Sequence, residues 1–274
     1  MEIIVAKTAG FCFGVKRAID LTKEALVQNH EVYSLGSIVH NKYVNDELKK
    51  EGLNFVNDIE CVPVGSNIII RAHGVTPDEL KKCSDRKLSV IDTTCPNVKK
   101  IHDIVKKHSD LGYKIVVIGD EFHPEVVGIL GRAKDYLVIN DIGKVEDFVY
   151  DKVCVVSQTT MNVTKSREIS EKIKSISKEA VIFDTVCRAT EARQDELKSL
   201  ASSADYVIVI GDKASANSNR LYEISKNICN SQFIENVDEL CLNFFEDSCK
   251  IVVMAGASTP DSIINQVVDK LKSK

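Results

Sequence analysis

An uninterrupted apolar run of 18 residues is missing from this chain of 274, so no membrane-spanning helix is expected. The opening residues, "MEIIVAKTAG", lack the basic flank and long apolar stretch of a secretion signal, and a cytoplasmic location is the expectation. Positive charge is not in excess either: 36 Lys and Arg stand against 40 Asp and Glu, and a net charge of −4 argues against a nucleic-acid partner. No two cysteines are spaced C-x-x-C, so the usual local iron–sulfur motifs are absent. Neither a G-x-x-x-x-G-K-[ST] phosphate loop nor a G-x-G-x-x-G fingerprint occurs. Any phosphate group then belongs to a small substrate, not to ATP, NAD or bound flavin.

Cysteine, by contrast, is plentiful. Nine cysteines, an odd number in a chain without a secretion signal, do not read as a disulfide scaffold. The ordinary role of such a residue is a small buried apolar side chain, which fits Cys154 in "VCVV" and is extended to Cys61, Cys83, Cys229, Cys241 and Cys249. Cys12, Cys95 and Cys187 follow a pattern instead. Each precedes a helix-like stretch and is followed eight residues on by an aspartate, Asp20, Asp103 and Asp195. From each, 24 residues lead to a strand-closing glycine (Gly36, Gly119, Gly211) and 28 lead to His40, His123 and Ser215.

Short β-branched runs alternate with helix-like stretches along the chain: "VYSLG", "NIIIRA", "LSVID", "KIVVIG", "YLVIN", "KVCVVS", "AVIFD", "YVIVIG" and "KIVVMA". That alternation indicates parallel sheets with crossover helices. Matched offsets in three copies indicate a triplicated α/β unit. The third copy ends before its last strand, and the unused "EIIVA" at the N-terminus leads straight into Cys12. The expected architecture is therefore a closed trefoil of three pseudo-repeated α/β domains, with the N-terminal strand completing the third. Its expected parts are residues 1–13 (strand and Cys12 loop, joining the third domain), 14–96, 97–188 and 189–274.

Ligands of open α/β sheets sit beyond the carboxyl ends of strands, where the three cysteines fall. A helix N-terminus there favours the thiolate, the form that binds metal. Three thiolates admit zinc, a four-iron cluster with one iron lacking a protein ligand, or inert buried thiols. Three loop histidines, His40 in "VHN", His73 in "AHG" and His123 in "FHPEVVG", join the hydroxyls and amides of "SQTT", "SANSN" and "GAST" in what reads as an anion pocket. Glu125, two residues past His123, is either a first-turn helix acid following Pro124 or a proton donor. His102 and His108 sit on a lysine-rich stretch read as a solvated helix face, and His30 precedes a strand.

Taken in order, "GFCFGVKRAI", "SIVHN", "RAHG", "DTTCP", "FHPEVVG", "SQTT", the Cys187 segment, "SANSNRL" and "GASTP" resemble the 4-hydroxy-3-methylbut-2-enyl diphosphate reductase (IspH/LytB) family, from residue 10 to residue 260. The resemblance implies a central [4Fe–4S] cluster on Cys12, Cys95 and Cys187, with one open iron. It implies reductive removal of an allylic hydroxyl to give isopentenyl and dimethylallyl diphosphates, the last step of the non-mevalonate pathway. Glu125 would start the proton relay, with Thr159 beside the hydroxyl. His40, His73, His123, Ser215, Asn217 and Ser258 would hold the diphosphate. Members of the family often carry two serines before the asparagine, where this chain reads Ser215-Ala216-Asn217, so a hydroxyl contact is lost at Ala216. The partners implied are the allylic diphosphate and an external one-electron carrier of ferredoxin or flavodoxin type, with Lys16, Arg17 and Arg188 as basic docking candidates. Two other classes share some of these features. An iron–sulfur lyase or dehydratase would consume no electrons, and an iron–sulfur sensor would need no anion pocket.

Overall fold

The computed structural model describes residues 1–29, 31–145, 150–246 and 248–274; His30 lies outside them. Three four-stranded sheets, all parallel, carry the fold. In the first, β2 (Val32–Leu35) lies between β3 (Leu53–Val56) and β4 (Asn67–Ile70), and β4 pairs on with β5 (Ser89–Asp92). The second repeats that order with β7 (Tyr136–Ile139), β6 (Lys114–Ile118), β8 (Tyr150–Ser157) and β9 (Ser177–Ile182). The third runs β11 (Asn230–Ile234), β10 (Tyr206–Ile210), β12 (Lys250–Ala255) and then β1 (Glu2–Val5). The N-terminal strand does complete the third sheet, with Glu2 opposite Lys250 and Val5 opposite Val253.

Burial explains why these strands read as continuous apolar runs. A parallel sheet covered by crossover helices has two buried faces, so alternation disappears. Along β12, Ile251 and Val253 pack into one cluster while Val252 and Met254 pack into another on the opposite face. In β8, Val153 and Val155 face one way and Cys154 and Val156 the other. Strands β3 and β11, "LNFV" and "NSQFI", are sheet edges that escape the apolar-run reading because each is diluted by polar residues.

The crossovers are the helices α1 (Phe13–Gln28), α2 (Lys42–Lys50), α3 (Pro77–Asp85), α4 (Pro96–Asp110), α5 (Pro124–Leu130), α6 (Val163–Ser175), α7 (Arg188–Ala201), α8 (Ala216–Lys226) and α9 (Asp261–Lys272). Their starts are written in the sequence. Proline opens α3, α4 and α5, where its missing N–H costs nothing, and a Thr76–Glu79 capping box fixes α3. By backbone packing the chain resolves into two compact units. One comprises Met1–Lys16, His40–Val44 and Arg188–Lys274 and contains the third sheet; the other comprises Arg17–Val39 and Asn45–Cys187 and contains the first two. Among the described residues no helix is long and apolar enough to cross a membrane.

Candidate active site

The three cysteines share a backbone anchor. The Cys95 N–H donates to the carbonyl of Ala72 at 2.9 Å, that of Cys187 to Thr159 at 3.0 Å, and that of Cys12 to Ala257 at 3.1 Å. Each acceptor lies two residues past the end of the third strand of its copy, β4, β8 or β12. The sheet geometry thus fixes each cysteine against the loop that follows the neighbouring strand, "RAHG", "SQTT" or "GAST".

All three cysteines are half-buried, within reach of a ligand at the surface of the fold. The Val15 N–H, in the first turn of α1, donates to Cys12 Sγ at 3.5 Å, and the Asn97 amide donates to Cys187 Sγ at 3.1 Å. Because Asn97 follows Cys95 by two residues at the start of α4, that bond brings the Cys187 thiol to the helix end that Cys95 caps. Such an environment fits thiolates that hold a metal group. The other cysteines differ. Cys83, Cys154 and Cys249 are buried, and burial pushes the Cys154 thiol up to about 12, which suits an inert apolar residue. Cys61 and Cys241 are exposed and Cys229 is half-buried, so the buried-residue expectation fails for them; the first two sit in short surface turns.

Glu125 is a first-turn helix acid, one of the two readings the sequence left open. It stands in the first turn of α5, behind Pro124, and its N–H donates to Nδ1 of the N-cap His123 at 3.1 Å. It is also buried, 2% exposed. Its carboxylate accepts two hydrogen bonds from Thr159, from the backbone N–H and from the hydroxyl, both at 2.7 Å. Burial raises its pKa above the usual carboxylate range, and the two Thr159 bonds oppose that rise only in part. With the Cys187 N–H on the Thr159 carbonyl, acid, hydroxyl and thiol-bearing residue form one connected chain.

His73 and His123 meet edge to face, ring centres 5.3 Å apart. In the other unit, Ser258 Oγ donates to the His40 carbonyl at 2.8 Å. Ser215 caps α8 and takes hydrogen bonds from Ser218, so Ala216 begins the helix and offers only backbone. A Cβ at Gly211 would overlap Ser218 Oγ, which accounts for glycine at that strand end. Asn217 is 4% exposed and its Nδ2 has no partner among the described residues, an unspent donor at a helix start.

Three side chains depart from or escape the sequence reading. Arg17 donates to the carbonyls of Thr93 and Thr94, both at 3.3 Å, and so braces the segment before Cys95; Lys16 and Arg188 are exposed. Asn97 carries no motif signal at all. His102 is not on a solvated face: it is 6% exposed, wedged between Gly74 and Gly128, and its Nε2 has no partner among the described residues. Gly74 has a positive φ of 75°, and a Cβ there would lie 2.7 Å from His102 Cε1. Burial, reinforced by Arg132, pushes the His102 pKa from 6.5 down to about 4. A depressed folded-state pKa gives stability that is fully present above 6.5 and is lost as pH falls toward 4. Urea unfolding across that window should show the wild type losing stability, by up to about 3 kcal/mol, with a smaller loss for His102→Gln. Equal pH slopes for the two proteins would count against a neutral buried imidazole.

A parallel α/β frame with backbone-anchored cysteines ahead of its helices, and a buried acid hydrogen-bonded to a hydroxyl, is the frame of an enzyme. The chain belongs to the LytB family: the family described as LytB protein matches residues 3–272. That family is one of iron–sulfur enzymes. The chain is 40% identical over 278 residues to a 4-hydroxy-3-methylbut-2-enyl diphosphate reductase of Clostridioides difficile (strain 630), covering 100% of both chains. Its fold is similar to the solved structure of the E-1-hydroxy-2-methyl-but-2-enyl-4-diphosphate reductase from Plasmodium falciparum, at a TM-score of 0.93 and 30% identity, covering 99% of this chain and 88% of that one. It is also similar to a solved (E)-4-hydroxy-3-methyl-but-2-enyl diphosphate reductase, described as the terminal enzyme of the non-mevalonate pathway, at a TM-score of 0.72, 37% identity and 100% coverage of both chains.

Proposed function

We propose that this protein reduces 4-hydroxy-3-methylbut-2-enyl diphosphate to isopentenyl and dimethylallyl diphosphates, the final step of the non-mevalonate isoprenoid pathway, in the cytoplasm. The observation that carries this reading is the connected chain of Glu125, Thr159 and Cys187. It ties a buried carboxyl, whose pKa burial raises, through Thr159 to the backbone of a candidate thiol ligand. When bound, a [4Fe–4S] cluster on Cys12, Cys95 and Cys187 supplies single electrons and a Lewis-acidic iron with no protein ligand.

The protein's own groups handle protons and position. Removing a hydroxyl with two electrons takes two protons and releases water. Burial favours the protonated form of Glu125, which would pass one proton to the Thr159 hydroxyl once that hydroxyl, here the donor to the carboxylate, turns toward the leaving oxygen and passes its own proton there. The remaining allylic carbanion takes the second proton at either end, from the substrate's own diphosphate, which accounts for two products. His40, His73, His123, Ser215, Asn217 and Ser258 hold that diphosphate. Asn217 Nδ2 is an available donor, and imidazole N–H and hydroxyl groups donate hydrogen bonds to phosphate oxygens. The loss of a hydroxyl at Ala216 weakens this binding by about 0.5–1.5 kcal/mol.

Two electrons from a one-electron centre require an external carrier, of ferredoxin or flavodoxin type, to dock twice per turnover. The test is anaerobic turnover of the allylic diphosphate with NADPH, with and without a carrier and its reductase. Turnover should require the carrier, consume two electrons per product, and decline as salt rises, because such encounters are steered by charge. Turnover without any reductant would assign the protein to the lyase class. Full turnover from NADPH alone would demand a cofactor site of its own.

A further inference from the structure

The bond from Asn97 to Cys187 does more than join two segments. Asn97 stands two residues past Cys95, at the second position of α4, and its side-chain amide reaches the thiol of a cysteine 90 positions further along the chain at 3.1 Å. The thiol of Cys12 takes its bond from a backbone N–H, whose presence does not depend on residue type; that of Cys187 takes one from a replaceable side chain. The backbone of Cys187 is separately anchored by the Thr159 carbonyl, so the amide is not required to keep the residue in place.

We infer that Asn97 is a positioning residue that raises the reduction potential of the bound iron–sulfur group through its hydrogen bond to the Cys187 thiolate. A donor on a ligating sulfur draws negative charge away from the iron. The reduced form carries one more negative charge than the oxidised form and gains more from that withdrawal, so electron acceptance becomes more favourable. The bond is charge-assisted when the thiol is ionised, the stronger class of hydrogen bond. It sits at an exposed amide, which sets a modest size for the effect. The surface placement also means that substitution leaves no cavity in a core.

The inference rests on the cluster reading above, and the experiment separates the two. Iron and sulfide are first measured on anaerobically purified wild-type holoenzyme; a wild type without iron overturns the cluster reading itself. The midpoint potential is then measured by spectroscopic titration against mediator dyes, for wild type, Asn97→Leu and Asn97→Asp. Leucine keeps the approximate volume and removes the donor; aspartate replaces the donor with a negative charge. Both variants should keep their iron and show a more negative midpoint, with the larger shift for Asn97→Asp. For Asn97→Leu the shift should reach at most about 59 mV, the equivalent of a tenfold change in a one-electron equilibrium. Asn97→Gln, which retains an amide, should recover part of the loss. An unchanged midpoint in an iron-replete Asn97→Leu protein overturns the inference. So does loss of iron from both Asn97→Leu and Asn97→Asp, since Asn97 would then hold the group and not tune it.

Discussion

Cys12→Ser, Cys95→Ser and Cys187→Ser proteins, purified anaerobically, are expected to lose bound iron and to fall to the assay background in turnover. Each thiol is half-buried, and each backbone N–H is pinned to the carbonyl two residues beyond a neighbouring strand. The substitution therefore leaves the loop in place and changes the ligand alone. A serine hydroxyl stays protonated at neutral pH and is a poor donor to soft metal centres. Cys154→Ala is the contrasting case. That thiol is buried within β8, its pKa pushed up to about 12, and its loss should cost about 1 kcal/mol of stability with iron content unchanged. Iron and sulfide assays with visible spectra decide the matter. Stoichiometric zinc in the wild type, or full iron in any of the three serine variants, would count against the assignment.

Glu125→Gln should lower turnover by about 10²–10⁴-fold, the range that one general acid supplies. Glutamine keeps the size of the side chain and can still accept from Thr159, so iron content and substrate binding should hold while kcat falls. The pH profile adds a second readout. Burial raises the Glu125 pKa above its ordinary 4.5. The folded state then holds this proton more tightly than the unfolded chain does. Its contribution to stability is fully present below 4.5 and is lost as pH rises through the raised folded value. In the same way, turnover should decline on the alkaline side of that value, and Glu125→Gln should lack this limb. A variant turning over at the wild-type rate would leave Glu125 as a helix-terminus acid only.

Which of these features the sequence makes legible follows from range. Strands buried on both faces announce themselves locally, and ten of the twelve among the described residues stand out as β-branched runs. The two that do not, β3 and β11, are edge strands whose Asn54, Asn230, Ser231 and Gln232 break up any apolar signal. The repeat also exposes the three cysteines, because a triplicated offset is a pattern within one chain. Pairings between distant loops leave no such trace. Thr159 on Glu125 and Asn97 on Cys187 join residues 34 and 90 positions apart, and no local pattern announces either pairing, even where the motifs single out one member. His102 misleads for a different reason. Four lysines surround it in "VKKIHDIVKKH", yet at helical period it shares a face with Val98, Ile101 and Val105, all buried. Composition of a window is a weaker guide than position on a face.

The pairing of β1 with β12 carries a cost in time. Strand β1 has no sheet to join until Lys250–Ala255 has been made. At about 5–20 residues per second, Val5 waits roughly 10–50 s for Val253, longer than a small domain takes to fold. The first two sheets draw on no such late partner and can form during synthesis. The third closes only once β12 has been made, and until then an apolar segment stands unpaired beside Cys12, open to misplaced partners. Moving β1 to follow α9 would turn the same pairing into an ordinary strand–helix–strand crossover. A permutant of that kind should refold faster than the natural chain and aggregate less while it does so.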